Sequence, residues 1–205
     1  MKRILFVLVA LAAFAALLLR AAGPGEAAPA PKLAAAIFAG GCFWCTEADF
    51  DKIPGVVSTV SGYSGGRLAN PNYEQVSAGG TGHIEVVRVV YDPAKVSYQT
   101  LVARFFRTID PVDGGGQFCD RGSQYRSAIF VASAAERRIA EATRARAAAL
   151  VRKPVATLIL PAGRFYPAEA YHQDYYRKNP VPYRYYRWRC ARDARLAALW
   201  GKAGQ

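Results

Sequence analysis

The chain has 205 residues, 52% of them apolar and 20% charged, a balance that excludes a disordered or collagen-like chain and leaves one globular domain as the default. The formal charge is +12, from 27 Lys and Arg against 15 Asp and Glu. Four cysteines suggest disulfide chemistry, although a chain of this size builds a core without staples.

Lys2 and Arg3 precede an unbroken apolar run, residues 4–19, and Ala, Gly and Pro dominate from there to Lys32. This is the layout of a secretory signal, and the run falls short of the roughly 20 residues that cross a bilayer comfortably. The reading is an exported, periplasmic protein with a leader over residues 1–30. An anchor in the membrane through residues 4–19, left uncleaved, is the alternative. The only methionine is Met1.

Residues 33–39 are apolar and run into Gly40-Gly41; residues 42–52 then read as a short helix with Phe43, Trp44 and Phe50 available for burial. Pro54-Gly55 stops it. Residues 56–63 alternate as a second strand, and residues 67–82 form an irregular connection with at most one helical turn at 73–76. A third strand covers 83–91. Ser97 then caps a helix running to Arg107, and residues 110–124, with Gly114-Gly115-Gly116, read as an exposed loop. Residues 126–132 give a fourth strand, 133–151 a long Ala-rich helix, 155–160 a fifth strand, 168–178 a short helix and 179–205 a tail.

This order is not a regular βαβ alternation, which disfavours a doubly wound sheet. A single-domain α+β fold fits better: a split βαβ, ferredoxin-like core of about five strands with long loops and a C-terminal tail. The divisions are the leader (1–30), the folded domain (31–180) and an Arg- and aromatic-rich tail (181–205). In that tail Arg184, Arg187, Arg189, Arg192 and Arg195 interleave with Tyr185, Tyr186 and Trp188. Such a pattern grips nucleic acid in some proteins. The reading adopted is a solvated Arg-rich segment that packs its aromatics on the domain, with no nucleic-acid partner.

The sharpest local feature is Gly40-Gly41-Cys42-Phe43-Trp44-Cys45, where a strand feeds the first turn of a helix. Unpaired amides and the positive end of the helix dipole meet there, so Cys42 is expected to have a lowered pKa and to act as a nucleophile. Cys45 lies one helical turn on, near enough for a disulfide. A Cys-x-x-Cys at a helix start is also the mark of a thiol-disulfide exchange enzyme, a zinc half-site or a structural pair. Zinc needs a second pair of ligands, and Cys119, Cys190, His83 and His172 show no paired spacing. The adjacent Phe43-Trp44 favours an apolar pocket for a small nonpolar group beside the thiolate.

Gly41-Cys42-Phe43-Trp44 resembles the signature of the A-type peptide methionine sulfoxide reductases, the MsrA family. Further blocks are similar to that family in the same order: Pro54-Gly55-Val56, Ser61-Gly62-Tyr63-Ser64-Gly65-Gly66, Asn70-Pro71-Asn72-Tyr73-Glu74-Gln75-Val76, Gly82-His83-Ile84-Glu85-Val86-Val87, Tyr91-Asp92-Pro93, Asp120-Arg121-Gly122-Ser123-Gln124-Tyr125-Arg126-Ser127 and Ala168-Glu169-Ala170-Tyr171-His172-Gln173.

The resemblance implies reduction of the S epimer of methionine sulfoxide, in proteins or as the free amino acid. The route is a cysteine sulfenic acid and then an intramolecular disulfide, recycled by thioredoxin or a similar dithiol. It implies no metal or organic cofactor, and a monomer. Cys42 would attack the sulfoxide sulfur, with Phe43 and Trp44 holding the S-methyl group. Glu85 would be the acid, Tyr73 and Tyr125 would hydrogen-bond the sulfoxide oxygen, and Asp120 would line the pocket. Without the resemblance, Glu85 reads as a solvent-facing strand residue, the tyrosines as ordinary aromatics and Asp120 as a turn former. His83 and His172 read as structural histidines.

Many family members have Gly where Cys45 stands and carry resolving cysteines in a glycine-rich tail. Cys45, Cys190 and Cys119 are therefore all candidates for the resolving thiol. Cys45 is nearest in sequence, while the arginines around Cys190 would make it a ready nucleophile. The alternatives to this chemistry are a thiol-disulfide oxidoreductase built on Cys42 and Cys45, or a non-catalytic module binding oxidised-methionine peptides or nucleic acid.

Overall fold

A computed structural model describes residues 32–201, so the leader and its anchor alternative lie outside the described residues. Ala34–Gly40 forms strand β1, with Phe38 and Ala39 wholly buried on opposite faces. A strand covered on both faces must be apolar almost throughout, which is why this segment does not alternate. The other strands of the main sheet are β2 (Val56–Ser64), β3 (Ile84–Tyr91), β6 (Ser127–Val131), β7 (Leu158–Pro161) and β8 (Tyr166–Pro167). Their order is β7-β6-β1-β3-β2-β8, and β4 (Gly116–Gln117) with β5 (Asp120–Arg121) makes a separate two-stranded ribbon.

The central strands β6, β1, β3 and β2 pair antiparallel throughout. Helix α1 (Phe43–Phe50) connects β1 to β2, and α3 (Tyr98–Arg107) lies between β3 and β6. Together they are the split βαβ, ferredoxin-like α+β core. β7 joins it parallel to β6 through α4 (Ala134–Val151), the long crossover that a parallel pair requires. A short α2 (Tyr73–Ser77) sits in the connection between β2 and β3.

Side-chain caps start two of the helices, at Ser97 as expected and also at Ser133. The Ser97 and Ser133 side chains accept from the amides of Thr100 and Glu136 at the first turns of α3 and α4. Leu101, Val102, Phe105 and Phe106 of α3 are buried, and Phe38 stacks on Phe50 (4.7 Å) and lies tilted against Phe105 (5.2 Å).

Three expectations are corrected. The loop at 110–124 contains the β4–β5 ribbon and a 3-10 turn, Ser123–Tyr125. The helix expected over 168–178 is confined to α5 (Tyr175–Lys178). Before it, the Gln173 amide bonds both backbone groups of Ser61 and the carbonyl of Ala168, which holds the segment as a turn against β2, and Asp174 is left-handed at φ 54°.

The tail, finally, is two helices, α6 (Pro180–Arg189) and α7 (Arg192–Trp200), and its arginines are not all solvated. Arg187 meets Asp49 at 3.0 Å and Asp193 at 2.7 Å, and Arg195 meets Asp110 at 2.7 Å. Arg192 is only 2% exposed: it donates to the carbonyls of Gly40 (3.2 Å) and Thr108 (2.7 Å), lies 3.8 Å from Asp49 and covers the Phe118 ring. Tyr185 and Trp188 face outward, against expectation, whereas Tyr183 is buried against Cys45 and Ala48. Among the described residues, no helix is long and apolar enough to cross a membrane.

Arg192→Ala would leave two carbonyls and part of the Asp49 charge without a partner in a dry site. The expected loss is about 3 kcal/mol or more in urea unfolding. A loss well under 1 kcal/mol would show that α7 is not anchored through this guanidinium.

Candidate active site

The site begins where β1 ends. Gly41 has φ +81°, and a Cβ there would fall 2.5 Å from Cβ of Gln117, so only glycine makes this turn. The turn sets Cys42 immediately before α1, with its carbonyl accepting from the amides of Cys45 (3.2 Å) and Thr46 (3.3 Å). The first amide of the helix, Phe43 N–H, has no partner within the helix. It donates instead to Oε2 of Glu85, at 3.0 Å.

Glu85 comes from β3 and is 3% exposed, so it is not the solvent-facing residue that its strand pattern suggests. Burial pushes its pKa up to about 8, against the opposing effect of the Phe43 hydrogen bond, with Asp120 and Cys45 adding repulsion. At neutral pH the carboxyl is therefore mostly protonated, next in space to the residue that follows Cys42.

The thiols depart from the sequence expectation. Cys42 and Cys45 are both free, both buried and hydrogen-bonded to each other. Burial pushes the Cys42 thiol well above the ordinary range, and the Cys45, Glu85 and Asp120 charges push the same way. Cys45 is lowered to about 7, first by the hydrogen bond from Cys42 and then by Arg192 and Arg187, against its own burial. Burial outweighs any help from the helix terminus at Cys42, and Cys45 is the more readily ionised of the two.

Around Cys42 a cavity of about 60 Å³ is lined by Phe43, Trp44, Tyr73, Glu85, Asp120, Tyr125 and Tyr186. A larger cavity of about 350 Å³ lies near Asp49, Arg104 and Arg107 and is lined by no cysteine. Tyr73 opens α2, whose start is fixed by the Asn72–Gln75 capping box, and its amide donates to Glu169 at 2.8 Å. The Tyr73 and Tyr125 hydroxyls are hydrogen-bonded, and burial raises both pKa values, so both remain neutral donors. The Trp44 ring stacks on Tyr175 at 3.8 Å, meets Tyr186 edge-on, and donates from Nε1 to Nδ1 of His172 at 3.0 Å.

His172 is buried, which lowers its pKa, and acts here as an acceptor for Trp44. His83 bonds the Gly66 amide and the Leu68 carbonyl through its two ring nitrogens. Neither lines the cavity. Among the described residues, no group of three or more His, Cys, Asp or Glu side chains is arranged to hold a metal.

Every residue expected in the pocket thus lines it, and one was missed. Tyr186, on α6, bonds Oδ2 of Asp120 through its hydroxyl, while burial raises the Asp120 carboxyl. The signal lay in the spacing of Tyr183, Tyr186 and Cys190, which share one helical face. Of the candidate resolving thiols, Cys45 touches Cys42, whereas Cys119 and Cys190 are joined in a disulfide, a pairing that was not foreseen.

The family model described as peptide methionine sulfoxide reductase matches residues 34–203. A relative named peptide methionine sulfoxide reductase MsrA 2, from Caulobacter vibrioides, is 51% identical over 189 residues, covering 92% of this chain and 96% of its own length. Among solved structures, methionine sulfoxide reductase A of Corynebacterium diphtheriae superposes with a TM-score of 0.66 at 38% identity, covering 75% of this chain and 78% of that one. Reduced Mxr1 from Saccharomyces cerevisiae gives 0.70 at 33% identity, covering 76% and 90%. The same yeast protein in complex with Trx2 gives 0.51 at 25% identity, covering 74% and 90%. With its ferredoxin-like core, its buried thiol pair and its acid-lined cavity, the chain belongs to the peptide methionine sulfoxide reductase family, of the A type.

Proposed function

We propose that the chain reduces the S epimer of methionine sulfoxide, with Cys42 as nucleophile, Glu85 as acid and Cys45 as both proton acceptor and resolving thiol. The observation that carries this reading is the Phe43–Glu85 hydrogen bond, which holds in place, in a small cavity walled by aromatics beside Cys42, a carboxyl that burial keeps protonated. Phe43 and Trp44 suit the S-methyl group. The paired hydroxyls of Tyr73 and Tyr125 suit the sulfoxide oxygen, on which negative charge grows as the sulfur is attacked.

The protons and electrons balance within the site. As Cys42 attacks, its proton passes to the Cys45 thiolate and the Glu85 proton passes to the departing oxygen. Two electrons from the Cys42 sulfur reduce the sulfoxide, giving methionine, a Cys42 sulfenic acid, a Cys45 thiol and a Glu85 carboxylate. Cys45 then attacks the sulfenic sulfur, forming the Cys42–Cys45 disulfide and releasing water. A dithiol reductant supplies two electrons and two protons, and one of those protons restores Glu85. A thioredoxin-like partner is supported by the yeast relative's complex with Trx2.

Cys42→Ser should abolish turnover, because a hydroxyl offers no accessible anion near pH 7 and forms no sulfenic acid. Glu85→Gln should lose about two to four orders of magnitude in rate, the span for a positioned proton donor. The pH profile of kcat/KM follows from signs: Cys45 must be ionised, so rate falls below about 7, and Glu85 must be protonated, so rate falls above about 8. Cys45→Ser should remove the acid limb and Glu85→Gln the alkaline limb. The assay is conversion of each methyl sulfoxide epimer to thioether with dithiothreitol as reductant; insulin disulfide reduction without sulfoxide turnover would favour the exchange-enzyme alternative instead.

Peptide mapping after one turnover without reductant should recover a Cys42–Cys45 disulfide alongside Cys119–Cys190. A trapped Cys42–Cys190 bond would assign resolution to the tail.

A further inference from the structure

The Cys119–Cys190 disulfide joins residues 71 apart in sequence, and no step proposed above uses it. It lies next to a second link between the same two elements. Asp120, the neighbour of Cys119 in the β4–β5 ribbon, accepts from the hydroxyl of Tyr186 on α6. On the helix side the Cys190 amide donates to the Tyr186 carbonyl at 3.0 Å, so the two attachment points are one turn apart. A covalent bond and a hydrogen bond therefore connect ribbon to helix side by side.

Both partners of the hydrogen bond line the cavity at Cys42, and the Tyr186 ring also stands edge-on to Trp44 at 5.8 Å. The ribbon that carries Asp120 is marginal on its own, with two residues in each strand and no pairing to the main sheet. Its β4 side is held by Gln117, which is wholly buried and bonds both backbone groups of Asp110. Its turn, at Phe118 and Cys119, is tethered by the disulfide and by Arg192 over the Phe118 ring at 4.4 Å. Opening the disulfide would free the turn next to Asp120 and loosen the C-terminal end of α6 one turn beyond Tyr186.

We propose that the Cys119–Cys190 disulfide is a positioning device for the substrate pocket: it holds the Tyr186–Asp120 pair in the wall that receives the methyl sulfoxide, so that sulfoxide affinity depends on whether the bond is closed. This rests on the cavity at Cys42 being the sulfoxide site. The device is within reach of a reductant, because Cys119 is exposed and Cys190 half-buried. Opening takes two electrons and two protons, which a phosphine or dithiol supplies, and yields two thiols.

The test is binding rather than turnover, because assay reductants would open the bond. In a Cys42→Ser background, which stops the chemistry, the affinity for N-acetylmethionine S-sulfoxide is measured by calorimetry with the disulfide closed, after phosphine reduction, and after reoxidation. Reduction should weaken binding by about 10- to 100-fold, the span of a hydrogen bond to a charged group, and reoxidation should restore it. Tyr186→Phe in the same background keeps the disulfide, so it should weaken binding by a similar factor and remove the response to reduction. Equal affinity in closed and open forms, or a Tyr186→Phe protein that binds like its parent, overturns the proposal while leaving the pocket assignment intact. Absence of binding in every form contradicts the pocket assignment and the positioning role with it.

Discussion

The hydrogen bond from the Phe43 amide to Glu85 ties the helix that follows Cys42 to strand β3, and the rest of the site is arranged around it. A helix must satisfy its leading amides, and here the partner is a side chain 42 residues away on β3. The carboxyl so recruited is buried, and burial holds its proton. The helix start at Cys42 is thus paired with a carboxyl. Burial raises the Cys42 thiol, and Cys45, one turn deeper, is the more readily ionised of the two.

That displacement of charge gives the C-terminal helices a chemical part beside their structural one. Arg192 and Arg187 are drawn into the interior by backbone carbonyls and by Asp49, and once there they favour a thiolate at Cys45. Their desolvation is offset by carbonyls, carboxylates and the Phe118 ring around them, although Nε of Arg192 is buried without a hydrogen-bond partner; a buried cation without such partners would be strongly unfavourable. The same helices bring Tyr186 to the pocket and Cys190 to the ribbon. Four features that look separate in sequence, an arginine cluster, an aromatic stripe, a C-terminal cysteine and a glycine-rich loop, thus meet on one side of Cys42.

Elements marked by neighbouring residues were legible in the sequence. The apolar residues of β2 and β3, the Ser97 cap of α3 and the Gly41 turn all follow from residues adjacent in the chain, although β3 is buried almost throughout rather than alternately. The ordered motifs placed Cys42, Phe43, Trp44, Tyr73, Glu85, Asp120 and Tyr125 around one cavity, as the fold then did. What escaped depends on distant partners. Arg192 reads as a surface cation because its carbonyl acceptors come from Gly40 and Thr108. The opposite shifts of Cys42 and Cys45 were hidden because they come from burial of Cys42 and from Arg192 and Arg187, distant in sequence, beside Cys45. The Cys119–Cys190 pairing was hidden because four cysteines allow three pairings and local spacing favours none across so long a separation. β8 was missed because two residues, one of them a proline, carry no period.

The protonation of Glu85 in the resting protein is the most direct test of this account. Infrared difference spectra of the substrate-free protein, with and without Glu85→Gln, isolate the carbonyl stretch of a protonated Glu85. A band present at pH 6 and 7 that titrates away near 8 is the predicted result. A carboxylate already ionised at pH 6 would contradict it and remove the proton donor on which the chemistry depends.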